Sequence, residues 1–83
     1  MQPPPMTHLE IANFARAAAE AAHDAHGETG CSPRMAARLL MQSEYERGAA
    51  LGTINRMCAM AATSYFHVVY NRHYQRLIDA VVA

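Results

Sequence analysis

The chain has 83 residues and no lysine; all seven basic residues are arginine. Schiff-base or lysine-nucleophile chemistry is therefore excluded. With the many alanines, this usage suggests a GC-rich coding genome. Cysteine is scarce: Cys31 and Cys58 alone rule out a multi-bridge secreted scaffold. In MCAM, Cys58 has the apolar neighbours of a buried free thiol. The formal net charge is zero, so the overall basic excess of a typical nucleic-acid binder is lacking. No apolar run reaches the roughly 18 residues of a membrane span. The opening MQPPPMTHLE lacks the charged and apolar regions of a signal peptide. The expected setting is the cytoplasm, with no membrane partner.

Catalytic signatures are also missing. There is no HExxH, no phosphate-cradling glycine motif and no serine in a strained nucleophile turn. Glu44 and Glu46 are two apart and so lie on different helix faces. Cys31 beside a histidine is the nearest approach to an activated nucleophile. A chain this short leaves little room for a pocket that excludes water. The expectation is a protein that is not an enzyme and carries no cofactor.

What is present is helix-forming. Thr7 and Glu10 form a capping box, with Met6 and Ile11 at its staple positions. LEIANFARAAAEAAHDAH follows, with Leu9, Ile11, Phe14 and Ala18 on one side, and Gly27 stops it. GETGC is a turn. Ser32-Pro33 opens a second helix in which Met35, Ala36, Leu39 and Leu40 form an apolar stripe, with Arg34 and Arg38 opposite. Gly48 and Gly52 bracket the next break, and Thr53 caps a third helix. Met35, Met41, Met57 and Met60 read as core fillers.

These signals predict an all-α fold: a small three-helix domain of a short, a short and a long C-terminal helix, at about 8–26, 33–47 and 53–81. Residues 1–6, with three prolines, form a disordered leader, and residues 7–83 a single domain. Ile54, Met57, Cys58, Ala61, Tyr65 and Val68 trace one stripe of the third helix. From Met57 to Tyr70 that helix is apolar nearly all round, more than two alanine-rich helices can cover. The expectation is a helical-bundle homodimer in which the third helices meet.

Two stretches carry the candidate sites. In HDAHGETGC, His23, His26 and Cys31 are weak candidate metal ligands, but the spacing fits no standard zinc site. Histidines in a last helical turn, followed by a stopping glycine, explain the string with less. In SYFHVVYNRHYQR, tyrosine and arginine, the anchors of protein interfaces, are dense. Tyr70, Arg72, His73, Tyr74 and Arg76, with Arg34 and Arg38, form the expected contact surface for a partner. A helix-turn-helix centred on Gly48 or Gly52 would put Glu44, Arg47 or Gly48 where small or apolar residues belong, so that signal is weak.

The general type resembles the small accessory proteins of GC-rich bacteria and their phages, a likeness of kind that no motif carries. It implies binding and blocking of a larger host protein. The expected function is a non-enzymatic regulator or inhibitor of that kind. The alternatives are a small DNA- or RNA-binding transcriptional regulator, with nucleic acid disfavoured by the zero charge, and a metal-stabilised helical domain.

Overall fold

A computed structural model describes residues 6–27 and 30–82. The leader expected over 1–5, and Glu28 and Thr29 of the turn, lie outside the described residues. The fold is all-α, with four helices rather than three among the described residues: α1 (His8–His26), α2 (Pro33–Glu46), α3 (Leu51–Ala61) and α4 (Ser64–Val82).

The helix ends follow local chemistry. The Glu10 amide donates to Thr7 Oγ1 at 3.1 Å, as a capping box requires. The Glu10 carboxylate does not return to Thr7. It takes a forked pair of bonds from Arg56 on α3, at 2.8 to 3.0 Å. Gly27 stops α1 at φ 58°. Ser32 caps α2 through the Met35 amide at 3.2 Å, with Pro33 in the first turn. α2 ends at Glu46, and Gly48 takes φ 87° in the connection. The next helix starts at Leu51 with Ala50 at its cap, ahead of the expected Thr53, and so takes in Gly52.

The expected long third helix is divided at Ala62 and Thr63. Thr63 Oγ1 donates to the Met60 carbonyl at 2.8 Å and accepts from the Phe66 amide at 3.2 Å. One hydroxyl thus satisfies the end of α3 and the start of α4. The break redirects the apolar residues on either side of it into one core.

That core is organised around α1, which touches all three other helices. Ala15, Ala18, Ala19 and Ala22 are fully buried, with Ile11, Ala12 and Phe14 beside them. Their angular spread covers nearly half the circumference of α1. Alanine lets neighbouring helices approach closely, toward the short end of the roughly 8–10 Å interaxial range. The alanine-rich helix is therefore the surrounded one, not the cover. α4 runs parallel to α1, because contacts advance together along both helices: His8 with Tyr65, Phe14 with Phe66, Glu20 with His73, and His23 with Tyr74. α2 packs on α1 and α3 through buried Ala36 and Ala37 and half-buried Leu40.

Of the Ile54–Val68 stripe, Met57 is buried, Ile54 and Ala61 are half-buried, and Cys58, Tyr65 and Val68 are exposed. The core residues from this region are instead Met57, Met60, Phe66, Tyr70 and Tyr74. Met35 and Leu39, read as apolar stripe, are exposed, as is Leu9. Burial on α2 centres on Ala36 and Ala37, because a stripe of small residues fits against the alanines of α1.

Candidate functional site

The C-terminal half of α4 has two faces, and the 3.6-residue period separates them. Tyr70 and Tyr74, four apart, point inward and are 2 % and 8 % exposed. This corrects their expected place on a partner surface. The Tyr70 hydroxyl donates to the Cys31 carbonyl at 2.9 Å, and the Tyr74 hydroxyl donates to the Gly27 carbonyl. Both tyrosines tie α4 to the turn between α1 and α2, whose partly buried Gly27 and Cys31 carbonyls need donors. Gly30 in that turn has φ 66°, and a Cβ there would stand 3.3 Å from the Tyr74 hydroxyl. Burial pushes the Tyr70 phenol well above its ordinary 10.0, and the hydrogen bond with the Cys31 thiol adds to the rise. Burial, then the neighbouring Cys31 charge, raises Tyr74 as well.

Arg72, His73 and Arg76 lie on the other side of α4, along its groove with α1. That cleft, of about 190 Å³, is lined by Arg16, Tyr65, Val69, Arg72, His73 and Arg76. Arg16 comes from α1 and donates to Asn13 Oδ1 at 2.8 Å, which orients its guanidinium. Glu20, one turn further along α1, meets His73 Nε2 at 3.3 Å. His73 Nδ1 is buried with no hydrogen-bond partner. A proton on Nε2, donated to Glu20, leaves Nδ1 as a bare acceptor, which is the cheaper of the two unsatisfied states.

Arg34 and Arg38 are elsewhere. They sit one turn apart on α2, at a second groove, toward α3, of about 240 Å³ with Ala37, Met41, Cys58, Ala61 and Ala62. The surface expected as one is therefore two grooves sharing no residue. Sequence reading missed Arg16, since nothing in α1 shows that it opposes Arg72 and Arg76. Only the parallel pairing of α1 and α4 brings them together.

Arg34, Arg38, Arg72 and Arg76 make no hydrogen bond or ion pair to any other described residue. Arg56 and Arg47 are occupied, by Glu10 and Glu44. A free guanidinium presents a planar fork of donors suited to carboxylate or phosphate.

The candidate metal ligands do not converge. The His23 ring stands edge-on to Tyr74 at 5.8 Å, and the Cys31 thiol lies 3.8 Å from the Tyr70 hydroxyl. His26 is exposed. Among the described residues no three His, Cys, Asp or Glu side chains gather where a metal ion would be held. No described helix is long and apolar enough to cross a membrane.

The fold and grooves thus define a small all-helical domain with arginine-lined surface clefts. No protein-family model matches the chain, and searches of curated proteins and of solved structures return no match.

Proposed function

We propose that the chain is a non-enzymatic protein-binding regulator, a small domain that captures a larger protein through its arginine-lined grooves. The observation that supports this reading is the set of four guanidiniums, Arg34, Arg38, Arg72 and Arg76, left without a partner among the described residues of a neutral chain. Exposed arginine beside apolar side chains is the composition of interface anchors. Here Met41 and Ala37 stand beside one pair, and Tyr65 and Val69 beside the other.

Affinity capture from the source cell, with wild type run against a variant in which all four arginines are alanine, tests the reading. The expected result is a protein held by the wild type and released by the variant, with the helical circular-dichroism signal unchanged. Equal capture by both would remove these arginines, and with them this reading.

The proposal includes a homodimer. Its support is the outward face of α3, where Leu51 is 69 % exposed and Cys58, seven residues on, is also exposed, with Asn55 between them and Ala62 just past the helix end. A second copy would cover this mixed face, which runs into the Arg34–Arg38 groove.

A further inference from the structure

We propose that the cleft between α1 and α4 binds a short acidic segment of a partner protein, with two carboxylates about 6 Å apart next to an apolar side chain. This rests on the protein-binding reading above and names the ligand chemistry of one of its two grooves.

Charge comes first. Arg16, Arg72 and Arg76 supply three guanidiniums to one small cleft, and no carboxylate is among its lining residues. Three like charges brought together on the surface of a neutral chain are unfavourable unless something opposite meets them. Neither Arg72 nor Arg76 finds a partner among the described residues, and Arg16 is held only by the neutral Asn13 amide. Among the described residues no carboxylate is bonded to these three guanidiniums, and Glu20, at the α1 edge of the cleft, is bonded to His73, so the cleft remains complementary to added negative charge.

Spacing comes second. Arg72 and Arg76 are one turn apart, which puts their Cβ atoms about 5–6 Å apart. Carboxylates one turn apart on a helix, or two apart on an extended strand at about 6.6 Å, match that interval. Each match allows a paired two-bond contact between guanidinium and carboxylate. The half-buried Val69 and the Tyr65 ring, 38 % exposed, lie about one and two turns before Arg72 on α4 and form an apolar floor beside the cations. That floor favours an apolar side chain next to the acids.

Extent decides against a long polyanion. Asp79, exposed, lies one turn beyond Arg76, while Glu20 is taken up by His73 on the α1 side of the cleft. A nucleic-acid backbone continuing past Arg76 would run into the Asp79 carboxylate. Binding along such a backbone relies on many phosphate contacts spread over a basic face. A short acidic segment ends before it reaches Asp79.

Fluorescence anisotropy on the full chain tests the inference. The probes are a labelled eight-residue peptide of alternating acidic and leucine or phenylalanine residues, the same peptide with Asn and Gln for the acids, and a labelled fifteen-nucleotide oligothymidine. The expected result is binding of the acidic peptide alone, weakened by salt. R72A/R76A should weaken it about tenfold or more, and R34A/R38A by less than about twofold. R72K/R76K, which retains charge and loses the planar fork, should fall between wild type and R72A/R76A. Thermal melts verify that each variant is folded.

The inference is overturned by no binding of the acidic peptide, by equal binding of the neutral peptide, or by indifference to R72A/R76A. Tighter binding of the oligonucleotide, lost in R72A/R76A, overturns it in favour of a nucleic-acid surface. If the acidic peptide fails while capture of a cellular protein still depends on Arg34 and Arg38, the inference falls and the protein-binding reading stands. Loss of both removes both.

Discussion

Tyr70 and Tyr74 carry more of the architecture than their place in a polar-looking string suggests. Each ring lies in the core, and each hydroxyl reaches a carbonyl of the α1–α2 turn. Removing one hydroxyl leaves a partly buried carbonyl without its donor, so Tyr70→Phe or Tyr74→Phe should each cost about 1–2 kcal/mol in urea unfolding. Truncating Phe66, fully buried against Phe14, should cost about 3–5 kcal/mol. That loss is close to the whole stability of a small domain at the low end, about 5 kcal/mol. The tyrosines also set a response to alkali. Both phenols ionise later in the folded chain than the ordinary 10.0, because burial disfavours the phenolate. The folded state then holds protons that the unfolded chain has already released. Their contribution to stability is complete below pH 10 and declines as pH rises above it. Melting temperature should therefore fall steeply above about pH 10. Tyr70→Phe should flatten the Tyr70 part of that fall, and an unchanged slope in this variant would show that the buried phenol is not responsible.

At the scale of helices, the legible and the illegible parts of the sequence differ in kind. Thr7, Ser32-Pro33 and Gly27 act on their own neighbours, and the start of α1, its stop and the start of α2 stand where those residues put them. Thr63 acts locally too, but its neighbours hid it. It sits between two apolar stretches whose stripes continue one another, and threonine within a helix is unremarkable. What turns it into a cap is tertiary: α4 packs against α1 along nearly its whole length, and Thr63 serves both helix ends at that junction. The same dependence on tertiary contact concealed the site. Arg72 and Arg76 were readable as a pair at one-turn spacing, while Arg16 needed the parallel α1–α4 pairing. The inward turn of Tyr70 and Tyr74 needed the carbonyls of the turn. Thr63→Ala removes both hydroxyl bonds and substitutes the strongest helix former. It should lower stability by about 1 kcal/mol or more and favour fusion of α3 with α4. An increase in the radius of gyration by small-angle scattering, from 13.0 Å over the Cα atoms, would register the fused helix. A more stable variant of unchanged size would show that packing alone, and not the cap, sets the break.

For the molecule as a whole, association would rest on the surface rather than on the core. An unbroken helix apolar on all sides would have demanded a partner. The observed fold encloses Met57, Met60, Phe66 and Tyr70 by itself, so the core makes no such demand. Isolated exposed apolar residues are ordinary, whereas several on one helical face mark a contact. Leu51 and Cys58 share a face of α3 with the polar Asn55, and α3 is also one wall of the Arg34–Arg38 groove. A dimer through α3 would bring the two Cys58 thiols close to the interface and leave the α1–α4 cleft open on each copy. Light scattering at about 100 μM should then give the mass of two chains. Leu51→Glu places a charge at the N-terminal end of that contact and should return the mass to one chain, with helicity retained, because this side chain is outside the core. A single-chain mass for the wild type at that concentration would leave the α3 strip as plain surface. The grooves would then be the property of a monomer, and Cys58 would be no more than an exposed thiol beside Arg34 and Arg38.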